Sequence, residues 1–249
     1  MSEPRPVPAS LAKDMIVEAI FEIRFTSEIE ALGELLPGLI FPHVRAEFPK
    51  LEKLPLASLP KEVVQNDPSL FYQPTARLVG DNQILLVGDR VFGLSHRKPY
   101  LGWPGFKPQI IRLAGILHDM AGISEIERYS LRYTNIIPCG NGSRALDAIR
   151  ATMLLADWNV ADVLFQMRAE VSRGAFLNVI QIASGASVTN SHNVTVDGLL
   201  VDIDTMRHGP FPDYWDNLVN YIEEAHQCEK EVFFSLLTDQ TLNEAGPVW

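Results

Sequence analysis

A few polar residues, set on three segments of alternating apolar pattern, carry most of the chemistry this sequence offers. In Ile16-Val-Glu-Ala-Ile-Phe-Glu-Ile-Arg-Phe25, Glu22 and Arg24 fall opposite Ala19, Phe21, Ile23 and Phe25 when the segment is read at a strand's period of two. Between Ile126 and Ile137, Arg128, Arg132 and Thr134 share one face and Tyr129, Leu131 and Tyr133 the other. Asp202 and Asp204 share a face of a later strand. Arginine on a sheet face suits a planar anion, carboxylate or phosphate, through paired N–H donors. If the three faces coincide, they form a groove of mixed charge that binds a small anionic ligand. The same pattern also fits a solvated sheet face laced with cross-strand ion pairs. Asp202 and Asp204 hold a divalent cation only with further ligands, and His192, His208 and Glu170 stand at no diagnostic spacing. No metal and no cofactor are expected.

Familiar catalytic signatures are missing. The chain has no HExxH, CxxC or GxSxG, and neither a GxxxxGK[ST] loop nor a GxGxxG fingerprint. Its six histidines are scattered. Gly140-Asn-Gly-Ser143 precedes a helical pattern and could accept an anion there, or serve simply as a turn and N-cap. No catalytic residue is assigned, and a non-enzymatic role is expected. Aromatic residues are the other feature. Tyr100, Trp103 and Phe106 lie in a Pro/Gly-rich stretch, and Tyr214, Trp215 and Tyr221 in the last helix. Core packing accounts for most of these, while Tyr100, Trp103 and Trp215 are expected to face a partner.

Composition narrows the class. The chain has 249 residues, 47% of them apolar and 21% charged, near the globular average. Its net charge of −10, from 31 acidic and 21 basic residues, repels polyanions and argues against nucleic acid as a partner. Two cysteines, Cys139 and Cys228, are too few for a disulfide framework and fit a reduced, cytoplasmic protein. The proline-rich start lacks the apolar stretch of a signal peptide, and no membrane-spanning segment is expected.

The elements that must position these residues run in two similar series. The first has a strand at 16–25 and a helix from Ile29 that ends or kinks at Pro37-Gly38. An irregular stretch from Phe48 to Pro68 follows, then a meander of strands at 70–79, 83–87 and 90–96. After a loop at 100–106 comes the helix 107–120. The second series has a strand at 126–137, a helix from about Arg144 to Leu155, strands at 164–171, 176–183 and 194–204, and a helix from about Asp213 to Phe234. The pattern predicts an α+β protein: one duplicated domain over 1–249, with β-α-β-β-β-α halves at 14–122 and 123–235. It is similar in outline to the TATA-binding-protein saddle, a curved antiparallel sheet with helices on one side, an analogy of topology that carries no function.

Three of these segments also resemble a known family. The strand Ile16–Phe25, the motif Tyr100-Leu-Gly-Trp-Pro-Gly-Phe106 and the segment Glu127-Arg-Tyr-Ser-Leu-Arg-Tyr-Thr-Asn135 resemble motifs of a sporadically distributed, functionally uncharacterised prokaryotic family. Its patchy distribution implies an accessory role such as defence or toxin–antitoxin partnership. Ile136 departs from the family's pattern, which often carries a further arginine there. Two functions follow as expectations. One is a non-enzymatic interaction protein, such as an antitoxin or regulatory subunit, whose acidity complements a basic host partner. The other is an enzyme or receptor that holds a small anion on the sheet face. Open sheet edges and aromatic loops further predict a homodimer.

Overall fold

The computed structural model describes residues 6–120, 122–139, 144–160, 163–189 and 195–249. The Gly140–Ser143 turn and His192 lie outside the described residues. In chain order the elements begin with β1 Ser10–Leu11, β2 Ile16–Ser27, α1 Leu32–Val44, β3 Lys50–Lys53 and α2 Lys61–Asn66. They continue with β4 Ala76–Val79, β5 Gln83–Val87, β6 Val91–Arg97, α3 Gly102–Met120, β7 Ile123–Pro138, β8 Leu154–Leu155 and β9 Trp158–Asn159. The last are β10 Gln166–Arg173, β11 Phe176–Thr189, β12 Thr195–His208, α4 Tyr214–Leu236, α5 Asp239–Ala245 and β13 Pro247–Val248. The chain is mixed α+β, with a large antiparallel sheet of nine strands in the order β10-β11-β12-β7-β2-β6-β5-β4-β3.

Contacts divide the chain into two compact units, and each draws on both sequence halves. The first unit comprises Ala19–Leu131 and Met206–Glu223; the second comprises Met1–Glu18, Arg132–Thr205 and Glu224–Trp249. In the first unit the alternation on β2 works as read. Ala19, Phe21, Ile23 and Phe25 are buried, while Glu22 and Arg24 stay half-exposed on the other face. The helices add Leu32, Leu36, Ile40 and Val44 from α1, and Phe106, Ile110, Leu113 and Leu117 from α3, at helical spacing.

Four expectations in this unit change. Helix α1 begins at Leu32 and runs through Pro37 and Pro42 rather than ending at Pro37-Gly38. At its start the Gly33 N–H donates to Asp89 Oδ1 at 2.7 Å, a carboxylate 56 residues away. Burial of Leu36, Ile40 and Val44 outweighs the prolines' missing N–H groups. The stretch after Phe48 holds the edge strand β3, which pairs with β4; its charged Lys-Leu-Glu-Lys composition hid it. The first meander strand is confined to Ala76–Val79, downstream of Pro74. The expected loop at 100–106 is helix from Gly102 on, because Pro104 sits in the first turn of α3, where a missing N–H costs nothing.

In the second unit Ile137, Ile180, Ile182, Leu199, Val201 and Ile203 pack with Val232, Phe233, Phe234 and Leu237. The helix expected over 144–155 is absent. Ala145–Ala148 form one 3-10 turn, then Ile149 bridges Leu237, Arg150 N–H donates to Leu236 O at 2.6 Å, and Thr238 N–H to Ala148 O at 3.2 Å. Backbone pairing with the end of α4 overrides local helix propensity. A short hairpin, β8 with β9, takes the rest. Its turn residue Ala156 has φ 50°, a left-handed conformation unusual outside glycine. Helix α5 and the pairing of β1 with β13 have no counterpart among the expected elements.

Candidate functional site

In the second unit, period two places Arg132 and Thr134 on one face of β7 and Asp202 on a face of its neighbour β12. The structure brings them together. Asp202 is buried, with its side chain 3% exposed, while that of Arg132 is 43% exposed. Arg132 Nε donates to both carboxylate oxygens, at 2.8 and 3.1 Å. Thr134 Oγ1 donates to Oδ1 at 2.6 Å, and Gln181 Nε2 to Oδ2 at 3.1 Å. Asp202 therefore takes donors from three side chains, which satisfy the oxygens of a buried carboxyl group. These bonds, with Asp204 and Glu18 adding their charge, hold the Arg132 guanidinium more firmly protonated than usual despite its partial burial. A pocket of about 110 Å³ opens beside them, lined also by Gln166, Ile182, Ala183 and Leu200.

In the first unit Glu22, Arg24 and Arg128 come together. Glu22 Oε1 accepts from Arg24 Nε at 2.8 Å and from Arg128 Nη2. Arg128 is 11% exposed and also reaches Met206 Sδ at 3.6 Å. The Arg24 guanidinium lies 4.6 Å above the Tyr72 ring. Tyr72 in turn donates to Glu127, a bond that pushes its phenol pKa up. The Arg128–Glu22 pair crosses from β7 to β2 and the Arg24–Glu22 pair runs along β2, so these groups largely satisfy one another. The six residues named from sequence thus form two separate groups, one in each unit: Glu22, Arg24 and Arg128 in the first, Arg132 and Asp202, with Asp204 acting on Arg132, in the second.

The three aromatic residues expected to face a partner are engaged within the first unit. Tyr100 packs edge-on against Phe106 at 5.9 Å. Trp103 Nε1 is shared between both oxygens of Glu223, at 3.3 and 3.2 Å. Trp215 stacks on His118 at 4.4 Å. These rings remain half-exposed, and other apolar side chains are more exposed still. Leu154 is 73% exposed, Leu155 62%, Trp158 69%, Val163 56% and Leu164 82%, all within eleven residues of the second unit. A helical reading of 144–155 conceals them. The Ala156-Asp157 pair between Leu-Leu and Trp-Asn is the signal that could have shown a turn.

A cleft of about 1100 Å³ in the first unit has no signature in the sequence pattern. Residues between Leu51 and Thr75, from β3, α2 and their connections, build it against α1, with Glu30, Glu34 and Asp89 set against Lys53 and Arg90 on its walls. Among the described residues no three His, Cys, Asp or Glu side chains stand close enough to hold a metal ion. Among them, too, no helix is long and apolar enough to cross a membrane. Comparison with known proteins finds no matching family model and no matching curated relative.

Proposed function

We propose that this chain is a non-enzymatic interaction protein whose recognition element is the β8–β9 hairpin with Val163 and Leu164. The observation that carries this reading is the cluster of five large apolar side chains exposed by 56–82% within eleven residues. Monomeric proteins rarely leave such a cluster open, and a tryptophan flanked by leucines is the usual anchor of a protein interface. The partner's chemistry follows from charge. The unit that bears the hairpin has fifteen Asp and Glu against eight Lys and Arg, seven of the chain's ten net negative charges. A protein with an apolar pocket and a basic rim complements it.

The test is capture from lysate of the source organism with the native chain and with Trp158→Ser as baits. A stoichiometric basic protein, retained by the native chain, reduced more than ~10-fold by the substitution and weakened by salt, is the expected result. Equal retention by both baits, or an acidic partner, overturns the reading.

The strand order places each half's first strand, β2 or β7, beside that half's last, β6 or β12, which supports a duplication on the TATA-binding-protein-like plan. A cytoplasmic setting and an accessory role in defence or as an antitoxin accord with the family resemblance. A homodimer is tested by native mass spectrometry. Both outer strands carry charge, Lys50, Glu52 and Lys53 on β3 and Arg168, Glu170 and Arg173 on β10, so edge pairing is disfavoured and a dimer would use other surfaces. The alternative, a receptor for a small ligand on the sheet face, is favoured by one observation, the pocket beside Arg132.

A further inference from the structure

We infer that the outer edge of β3 and the cleft beside it take up an extended acidic–apolar peptide of a partner protein as an added antiparallel strand. Residues of the first unit carry this reading, so it does not depend on the hairpin above. β3 is the last strand of the nine-stranded sheet, and among the described residues β4 is its one neighbour there. The hydrogen-bonding parity of β4 fixes that of β3. The Leu54 N–H donates to Thr75 O at 2.8 Å, and on the β5 side the Gly80 N–H donates to Gln83 O at 2.9 Å. Arg77 and Val79 therefore turn their backbone groups toward β3, where they meet Glu52 and Lys50. The N–H and C=O groups of Leu51 and Lys53 are left pointing away from the sheet.

What separates this edge from an ordinary sheet margin is the cleft of about 1100 Å³, which the same two residues line. Their cross-strand partners Leu78 and Ala76 are buried, so Leu51 and Lys53 carry the core face outward, and Leu51 is left 45% exposed. Leu56, Leu59 and Phe71 extend the apolar wall. A strand added here sets alternate side chains in the cleft while its backbone continues the ladder. Charge then selects the strand. Arg77 Nε donates to Glu52 Oε2 at 2.7 Å, whereas among the described residues no ion pair engages Lys50 or Lys53. Two lysines on a four-residue edge repel a second copy of that edge and attract an acidic strand. The acidic groups of the cleft, Glu30, Glu34 and Asp89, belong to the start of α1 and the turn that binds it, so on the β3 wall the charge is that of Lys53. In antiparallel register acidic residues meet Lys53 and Lys50, three places apart, and an apolar one meets Leu51.

The probe is the blocked hexapeptide Leu-Thr-Glu-Thr-Leu-Glu, which sets its first glutamate across from Lys53 and its second leucine across from Leu51. It is titrated into the full chain labelled with 15N while the backbone amide signals of Leu51 and Lys53 are followed. Both are expected to shift saturably and to exchange more slowly with solvent. N-methylation of that glutamate and leucine, whose N–H groups face β3, is expected to weaken binding at least ~10-fold. N-methylation of the threonine between them, which faces away, is expected to change it less than ~3-fold. Exchanging both glutamates for lysine is expected to cost ~10-fold or more, and the double variant Lys50→Glu, Lys53→Glu to reverse that preference. Both substitutions lie on the exposed edge and leave the backbone bonds to β4 in place. Equal binding of the two N-methylated peptides, or no saturable shift at Leu51 and Lys53, overturns the inference. So do shifts there that follow protein rather than peptide concentration, which report a second copy of this chain on the edge.

Discussion

Glu229 should make the stability of the fold fall as pH rises toward neutrality. It lies on α4 in the second unit, 5% exposed, and burial raises its carboxyl pKa from 4.5 to about 8, opposed only by the charge of Lys230. Among the described residues no hydrogen bond or ion pair reaches it, so only the charge of Lys230 offsets its burial. The sign of the effect follows from the raised value. Below the unfolded pKa both states hold the proton and the group is neutral toward folding. Between 4.5 and about 8 the unfolded chain releases the proton and the folded chain keeps it, so rising pH favours unfolding. Above the folded pKa the full penalty is present. Each pH unit crossed between the two values costs ~1.4 kcal/mol, so the loss is about 3 kcal/mol by pH 7 and approaches ~5 kcal/mol in mildly alkaline solution.

Glu229→Gln keeps the shape and removes the titration. Urea unfolding of both proteins at intervals from pH 5 to pH 9 isolates the contribution of Glu229, because every other titrating group is common to the two. The variant is expected to gain less than ~1 kcal/mol at pH 5 and about 3 kcal/mol at pH 7, with the gap levelling off near pH 8–9. Stability curves that run parallel across that range, or a variant less stable throughout, would refute the assignment of a buried carboxylate.

Three further outcomes can be checked by thermal and chemical unfolding. Tyr214 is buried and among the described residues its hydroxyl has no hydrogen-bond partner, so Tyr214→Phe should add about 1 kcal/mol, or roughly 2–4 °C in Tm; a loss of stability would show that the hydroxyl is satisfied. A Cβ at Gly198 would lie 2.2 Å from Ile137 O, so Gly198→Ala should cost ~1–3 kcal/mol through forced separation of β12 from β7. An unchanged midpoint would contradict that close approach. Asp202→Ala strands the Thr134 hydroxyl and the Gln181 amide that donate to it and should cost about 2 kcal/mol, since the more exposed Arg132 can turn to water. Asp202→Asn should recover part of that loss.

Period-two alternation carries most of what can be read in advance. The buried face of β2 and the buried tyrosines Tyr129 and Tyr133 of β7 are legible in sequence, because a strand's faces follow from residue parity alone. So is the amphipathic run of α4, whose boundaries shift by only a residue or two. Legibility fails where a distant group settles a local choice. Asp89 starts α1 from 56 residues away, and the backbone at the end of α4 captures Ile149 and Arg150 and turns a helical pattern into a hairpin.

The candidate site shows the same division. Residue types and spacing chose Glu22, Arg24, Arg128, Arg132, Asp202 and Asp204 as the groups able to do chemistry. Only the tertiary structure assigned them to two groups and left a pocket beside one of them. Arg132 beside that pocket is held by Asp202, 70 residues away in sequence. Local sequence determines which face a side chain occupies, because that depends on backbone geometry over a few residues. Which groups meet, and what net field they make, is a sum over the whole fold.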